Sequence, residues 1–190
     1  PVATYFTPIA WTAYLLIVDS AVLAMTGRSR LRNSPRDLFQ MALLSIPLWL
    51  IFEVYNLRLQ SWDYTGVPRE LILGLLGYAW SFATITPAIL ETAELIESFG
   101  WFKRREPAEI SPALCRNMMG AGILCLGLPL FLPRHIASYL FALVWLGFYL
   151  ALDPLNYRLG LPSLLGDFAY GRSSRFYSLL VSGWICGWLW

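Results

Sequence analysis

Long apolar stretches alternate with short polar and basic links along the chain. From these stretches we predict six membrane-crossing helices, at residues 8–26, 38–57, 70–98, 111–132, 136–153 and 175–190. A helix of about 20 residues is long enough to cross a hydrocarbon core of about 30 Å. The apolar runs are continuous rather than alternating, which argues against a transmembrane β-barrel. The pattern therefore predicts an all-α, polytopic helical bundle.

Composition supports this assignment. Of the 190 residues, 57% are hydrophobic, 16% are aromatic and 14% are charged, whereas soluble domains carry about 25% charged residues. The formal net charge of +2 does not indicate a nucleic-acid partner, because such proteins present strongly basic surfaces. We expect membrane lipids as partners, with other membrane subunits or pigments as further candidates.

Several kinds of site are excluded by what the sequence lacks. His135 is its one histidine, so neither a di-histidine haem nor a histidine-rich zinc site can form within this chain. Cys115, Cys125 and Cys186 show no C-x-x-C spacing and lie in or beside apolar segments, so we expect small buried side chains there. Phosphate-binding loops, nucleophile elbows and dinucleotide fingerprints are absent. The sequence therefore indicates no particular cofactor.

Positive charges concentrate in alternate links. Of the 14 Lys and Arg residues, only Arg58, Arg69 and Arg134 lie outside the first, third and fifth links and their edges. Short links rich in Lys and Arg face the cytoplasm. We therefore predict a multi-pass protein of a bacterial-type inner membrane with its N-terminus outside. The basic residues at 28–36 and at 103–105 then share the cytoplasmic side.

Two segments indicate an internal repeat. Trp11-Thr-Ala-Tyr-Leu-Leu-Ile-Val-Asp19 and Trp145-Leu-Gly-Phe-Tyr-Leu-Ala-Leu-Asp153 share a tryptophan, an aromatic residue three positions on and an aspartate eight positions on. A Gly-Arg-Ser link, at 27–29 and at 171–173, and a tryptophan-bearing helix come after each segment. The two segments run in the same direction, so we infer a parallel duplication. Residues 1–135 form the first repeat, of about four membrane helices, and residues 136–190 begin the second.

The repeat also predicts that the natural polypeptide continues beyond Trp190. Trp188-Leu-Trp190 matches the residues just before Glu53, and the last predicted helix is short for a membrane span. We therefore expect an acidic residue after Trp190, then an asparagine, a W-x-Y link and two further spans. The seam between the repeats is the expected position of a cavity.

Carboxylates inside the predicted spans are candidates for function, because an aspartate at a helix centre costs about 2.5–3.5 kcal/mol on insertion scales. They are Asp19, Glu53, Glu91 and Glu94. Glu53 and Asn56 lie one helical turn apart, so both can face one groove.

Glu91 and Glu94 share a helix face downstream of Pro87, which we expect to disturb that helix. The alternative for these acidic residues is structural. Asp19 can hydrogen-bond between helices, and Glu94 with Glu97 can pair with the basic residues at 103 and 104.

Tryptophans form a second group of candidates. An interfacial belt accounts for those at segment edges, namely Trp11, Trp62, Trp101 and Trp145. Four others lie deeper in the segments: Trp49, Trp80, Trp184 and Trp188. An aromatic lining with a few carboxylates suits a planar or polyene ligand, and ordinary packing between helices is the alternative.

The motif FE-x-x-N at 52–56, the W-x-Y link at 62–64 and the segment Pro87-Ala-Ile-Leu-Glu91 resemble two families. One is a family of uncharacterised bacterial membrane proteins that carry a W-E-x-x-N motif twice. The more distant one comprises lycopene-cyclase-type membrane domains, which usually show an adjacent acidic pair after the proline. This resemblance implies that Glu53 or Glu91 acts as a general acid on a polyene double bond, with deep tryptophans stabilising the carbocation.

The sequence thus predicts a membrane protein that binds a hydrophobic ligand, such as a carotenoid, another isoprenoid, a quinone or a lipid. Whether it is an isoprenoid-modifying enzyme stays open. The alternative is a non-catalytic accessory subunit of an energy-transducing or photosynthetic membrane complex. The candidate catalytic residues are Glu53 and Glu91. The candidate ligand-binding residues are Asp19, Trp49, Asn56, Trp62, Tyr64, Trp80 and Trp188.

Overall fold

The computed structural model describes residues 3–68, 70–103 and 105–190, and this part of the chain forms helices and no strand. The helices are α1 (Phe6–Thr26), α2 (Arg30–Asn33), α3 (Pro35–Leu59), α4 (Leu71–Ser98), α5 (Pro112–Phe131), α6 (Arg134–Ala137), α7 (Phe141–Arg158), α8 (Leu164–Ala169) and α9 (Ser174–Leu189). The all-α prediction is confirmed. Arg69 and Arg104, which the sequence assigns to links, lie outside the described residues.

Four helices are long and apolar enough to cross a membrane, α1, α3, α4 and α5, and they indicate a multi-pass membrane protein. The prediction of six spans is therefore wrong for the described residues. α9 has 16 residues, which is about 24 Å of helix against a hydrocarbon core of about 30 Å. α7 has 18 residues, but Asp153, Asn156 and Arg158 in its last turns lower its mean hydropathy. The span predicted at 136–153 also begins too early, because residues 138–140 separate α6 from α7.

The described chain forms two compact units that interleave in sequence. The first unit comprises residues 1–51, 64–102 and 176–190, and the second comprises residues 52–63 and 103–175. α3 contributes its residues up to Ile51 to the first unit and the remainder to the second. This division does not test the repeat boundary predicted at residue 135.

Polar bonds between helices hold the first unit together. The hydroxyl groups of Tyr14 in α1 and Thr92 in α4 lie 2.7 Å apart, and the Thr92 hydroxyl lies 3.7 Å from Cys186 Sγ in α9. Ser182 of α9 donates to the carbonyl oxygen of Ile89 at 2.5 Å. Such bonds contribute about 0.6–1.7 kcal/mol each in a membrane. They fix α1 and α9 against the same stretch of α4.

Ser45 of α3 inserts its hydroxyl into α4 close to Pro87. This hydroxyl donates to the carbonyl oxygen of Phe82 and accepts the backbone N–H of Thr86 at 3.0 Å. An undisturbed helix would join those two backbone groups directly. α4 nevertheless continues through Pro87 to Ser98. Ser45 thus bonds to a backbone acceptor and a backbone donor of α4 directly before Pro87, a residue that has no N–H of its own to donate.

Glycines bring α5 and α7 close together in the second unit. A Cβ atom at Gly122 of α5 would lie 2.5 Å from the backbone nitrogen of Ala151 and 2.9 Å from the carbonyl oxygen of Gly147, both in α7. Small residues at such a contact let two backbones approach closely. The buried apolar cluster of this unit contains Leu59, Ala137, Phe141 and Val144.

Each unit contains a short helix whose first turn is bonded to an aspartate of the preceding long helix. In the first unit, Asp19 of α1 accepts the hydroxyl of Ser29 at 2.5 Å and the backbone N–H of Leu31 at 3.1 Å. In the second unit, Asp153 of α7 accepts two backbone N–H groups at the start of α8, at 2.7 and 2.9 Å. Both aspartates are buried. Each satisfies backbone donors that a helix start otherwise leaves unpaired.

A serine completes each of these two helix starts. The hydroxyl oxygen of Ser29 accepts the N–H of Arg32 at 3.1 Å, and that of Ser163 accepts the N–H of Gly166 at 3.0 Å. Each serine lies ten residues after its aspartate, so the residue that matches Ser29 is Ser163. The predicted match between the links at 27–29 and 171–173 pairs Ser29 with Ser173 instead, which lies 20 residues after Asp153.

Candidate functional site

A group of charged side chains lies where α1, α2 and α4 of the first unit meet. The Arg30 guanidinium donates through Nε to Glu94 Oε2 at 2.8 Å, and its Nη2 lies 2.8 Å from the same oxygen. Its Nε also lies 3.2 Å from Glu91 Oε1. We call Arg30, Glu91 and Glu94 the Arg30 cluster. Two carboxylates share one cation in this cluster.

The helix start at α2 places Arg30 in the cluster. Arg30 is the first residue of α2, directly after the cap residue Ser29, and Asp19 bonds to that turn on both sides of it. Glu91 and Glu94 are three residues apart on α4, so they present their side chains on one face. A cap, a buried aspartate and an i, i+3 acidic pair therefore bring the charges together.

Burial differs across the Arg30 cluster. The Glu91 side chain is 1% exposed, whereas those of Arg30 and Glu94 are 33% and 34% exposed. Neither carboxyl oxygen of Glu91 has a hydrogen-bond partner, although both are shielded from solvent. Glu91 is thus the inner group, and the pair formed by Arg30 and Glu94 is the outer rim.

Aromatic rings form a continuous run through the same unit. The ring centroid of Trp11 lies 5.2 Å from that of Tyr14 and 5.3 Å from that of Trp190. The ring centroid of Trp49 lies 6.3 Å from that of Trp190 and 6.1 Å from that of Phe82. These separations are typical of interacting aromatic pairs. The first-unit aromatic cluster is Trp11, Tyr14, Trp49, Tyr64, Tyr78, Phe82 and Trp190.

The aromatic cluster reaches the residues beside Glu91. Trp11 packs against Ala88, which lies one helical turn before Glu91. The Tyr14 hydroxyl lies 2.7 Å from that of Thr92, the residue after Glu91. The first unit therefore combines ring faces with a buried carboxyl group on one stretch of α4.

Glu53, Asn56 and Trp62 come together in the second unit. Trp62 donates its indole N–H to Glu53 Oε1 at 3.3 Å, and its ring meets Phe141 edge-on with centroids 4.3 Å apart. Asn56 donates to the carbonyl oxygen of Trp62 and accepts the backbone N–H of Ser61, both at 2.8 Å. Asn56 thus holds the turn that comes after α3. These contacts are those of a locally folded turn.

The other candidates lie in the first unit. The Trp49 indole N–H donates to the Tyr64 hydroxyl at 3.3 Å, and that of Trp80 donates to Thr12 at 3.0 Å. Trp188 is 77% exposed, and its ring meets that of Trp184 at 6.2 Å. The structure thus brings Asp19 close to the Arg30 cluster and Trp49 to Tyr64, while Trp188 lies on the surface.

Arg30 is a functional candidate that the sequence alone did not reveal, because the first link was assigned to membrane orientation as a whole. A signal that could have identified Arg30 is its position directly after Ser29, a cap residue that lies ten positions after Asp19. Glu94 pairs with Arg30; of the two basic residues expected to be its partners, at 103 and 104, Arg104 lies outside the described residues.

Metal binding finds no support in the described part of the chain, which contains no group of three or more His, Cys, Asp or Glu side chains able to hold a metal ion. No protein-family model, curated protein or solved structure matches the chain. The resemblance to lycopene-cyclase-type domains therefore stays an expectation that rests on the motifs.

Proposed function

We propose that this integral membrane protein binds a planar or polyene hydrophobic molecule against the first-unit aromatic cluster. A carotenoid, another isoprenoid, a quinone or a lipid with unsaturated chains would fit this description. The observation that carries the proposal is the run of ring contacts joining Tyr14, Trp11, Trp190, Trp49 and Phe82.

The physical reason is that burial from water cannot by itself favour a site inside a bilayer, since lipid tails are as apolar as the ligand. Close contact with rigid ring faces can favour such a site, because aromatic pairs contribute about 0.5–1.5 kcal/mol beyond area burial. Trp190 and Tyr64 are 45% and 36% exposed. A molecule dissolved in the bilayer can therefore reach the rings from the lipid side.

Enzymatic use of the site would require an acid near the ligand. Glu91 lies nine residues after Phe82 on α4, which is about 14 Å along the helix. Only an extended ligand, such as a polyene, would contact both the Phe82 ring and the Glu91 carboxyl group. A proton transfer from Glu91 to such a ligand is the specific reaction this arrangement supports.

The test is the content of hydrophobic molecules in protein purified from its native membrane, measured by mass spectrometry of organic extracts. We expect one isoprenoid, quinone or polyene lipid to be enriched over the surrounding membrane. Trp49→Ala should lower its amount. Trp184→Ala is the matched control, because that tryptophan is 69% exposed and lies outside the aromatic cluster. Extracts that match bulk membrane lipid in both wild type and variant would overturn the proposal.

An accessory subunit of a larger membrane complex is the second candidate, and α3 favours it. Only 6% of the most apolar 18-residue window of α3 is buried within the structure, against 28% for α4. Leu43, Leu44 and Val54 are among its exposed side chains. Partner helices would cover this surface as well as lipid does. The test is gentle extraction of the protein from its membrane. A defined complex with a partner in the wild type, and loss of that partner in Leu44→Trp, would favour this function.

Orientation and duplication complete the proposal. We place the links at 28–36 and 99–111 in the cytoplasm of a bacterial-type cell, because these two links carry seven of the 14 Lys and Arg residues. The matched pairs Asp19 with Asp153 and Ser29 with Ser163 support a parallel duplication, since residue type, spacing and hydrogen-bond role all agree.

A further inference from the structure

We propose that the Arg30 cluster is a proton-binding site, in which Glu94 holds the guanidinium and Glu91 carries an exchangeable proton. The same carboxyl group would be the acid in the reaction considered above, but proton binding needs no hydrophobic ligand, so its test does not depend on ligand content. Proton uptake converts the Glu91 carboxylate to a carboxylic acid and changes the cluster from one net negative charge to none.

Hydrogen-bond geometry distinguishes the two carboxyl groups. Glu94 Oε2 lies 2.8 Å from both Nε and Nη2 of Arg30, and the bond from Nε is well aligned. Glu91 Oε1 lies 3.2 Å from Nε without forming a hydrogen bond, and its second oxygen has no partner either. An ionised carboxylate only accepts hydrogen bonds, so it is poorly stabilised where no donor reaches it. A carboxylic acid brings its own donor.

Charge balance leads to the same assignment. Arg30 supplies one positive charge to two acids, and a third acid, Asp19, bonds to the residues on both sides of Arg30. Asp19 already accepts the Ser29 hydroxyl and the Leu31 N–H. A buried charge without its own partner is usually neutralised rather than tolerated. Glu91, at 1% exposure, is the member of the cluster where a proton relieves the imbalance.

The elements packed around Glu91 contribute these charged groups and two weakly ionising ones. Arg30 lies on α2, Asp19 on α1 and Glu94 on α4 itself. Tyr14 of α1 and Cys186 of α9 contact the neighbouring Thr92 rather than Glu91. Arg30 and Glu94 are each about one third exposed, so the buried acid is linked through them to the surface of the protein.

Infrared spectroscopy of the protein in lipid bilayers at neutral pH tests this site. A protonated carboxyl group gives a C=O stretching band that shifts in heavy water, distinct from the bands of carboxylates. We expect one such band in the wild type and its loss in Glu91→Gln. Glu91→Asp should keep a band, which separates loss of the acid from a folding defect. Absence of the band in the wild type, or its persistence in Glu91→Gln, would overturn the proposal.

Glu94→Gln tests the sharing of the guanidinium. Removing the competing charge should transfer Arg30 to Glu91, so the Glu91 band should disappear although the glutamate is still present. Glu97→Gln, one turn further along α4, is the matched control and should leave the band unchanged. Retention of the full band in Glu94→Gln would show that Glu94 does not hold the guanidinium, which contradicts the proposed site. Circular dichroism checks that each variant keeps its helices.

Discussion

The two units use the same device at the end of a long helix but position different residues with it. Asp19 and Asp153 each bond to the start of a short helix that is capped by a serine. The first residue of that short helix is Arg30 in the first unit and Leu164 in the second. Arg30 reaches two glutamates, whereas Leu164 is apolar.

A buried aspartate near the end of a long helix therefore does not by itself mark a functional site. Asp153 uses both of its carboxyl oxygens to accept backbone N–H groups. Asp19 has an equivalent local role, but it also fixes a cation beside Glu91. The two regions therefore differ in the first residue of the short helix, Arg30 or Leu164, and not in the aspartate.

Replacing the two aspartates tests this contrast and should give the largest effects. We expect Asp153→Ala to lower the free energy of unfolding by about 3 kcal/mol, because two charge-assisted hydrogen bonds are lost. Asp19→Ala should cost about 5 kcal/mol, since it also frees Arg30 from its partners. Unfolding in mixed detergent micelles measures both values. Equal losses would mean that Arg30 adds nothing to the first cap.

The second unit should be the more sensitive to helix spacing. Gly122→Ala would place a Cβ atom 2.5 Å from a backbone nitrogen of α7, and the overpacking should cost about 3 kcal/mol. Gly120→Ala is the control, because a Cβ at Gly120 would meet nothing within 4 Å. The same unfolding measurement applies. A Gly122→Ala protein as stable as the control would contradict the close contact of α5 with α7.

Arg30→Leu gives α2 an apolar first residue, as α8 has in the second unit. We expect a loss of about 2 kcal/mol, between the values for exposed and buried ion pairs, because Arg30 is partly exposed. Arg32→Leu, on the exposed side of the same short helix, should cost far less. Combining Arg30→Leu with Glu94→Leu should recover part of the loss, because Glu94 is the carboxylate that binds the guanidinium. Additive losses in that double variant would show that the two residues do not interact.

The serine caps should give the smallest effects. Ser163→Ala removes one bond to the N–H of Gly166, so we expect a loss of about 1 kcal/mol. Ser29→Ala also removes the bond to Asp19, so its loss should be about twice as large. A larger loss for Ser163→Ala would reverse the ranking of the two caps.

The sequence predicted the helices better than it predicted their role in the membrane. Hydropathy located all four long apolar helices to within a few residues. Hydropathy assigned α7 and α9 to the membrane-crossing helices because apolar residues outnumber the polar ones there. The length of a span depends instead on where the helix actually ends. The break between α6 and α7 depends on local turns at residues 138–140, which average hydropathy does not detect.

The candidate site was predicted in part. Asp19 and Glu91 were identified because carboxyl groups are costly inside spans, and they do lie in one region. Arg30 was missed because a basic residue in a link carries no sequence signal for a specific partner on a distant helix. Asn56 was chosen for its spacing from Glu53, but it bonds to the backbone of its own turn. Spacing identifies residues on one face without showing whether they face a ligand or the chain itself.

The most direct measurement is the amount of bound hydrophobic molecule in Trp49→Ala and Trp62→Ala proteins extracted from the same native membranes. Trp49 belongs to the first-unit aromatic cluster, and Trp62 packs on Phe141 in the second unit. We expect Trp49→Ala to reduce the bound molecule about tenfold, the effect of about 1.4 kcal/mol of lost contact, and Trp62→Ala to leave it unchanged. Loss in Trp62→Ala with retention in Trp49→Ala would contradict the placement of the ligand in the first unit.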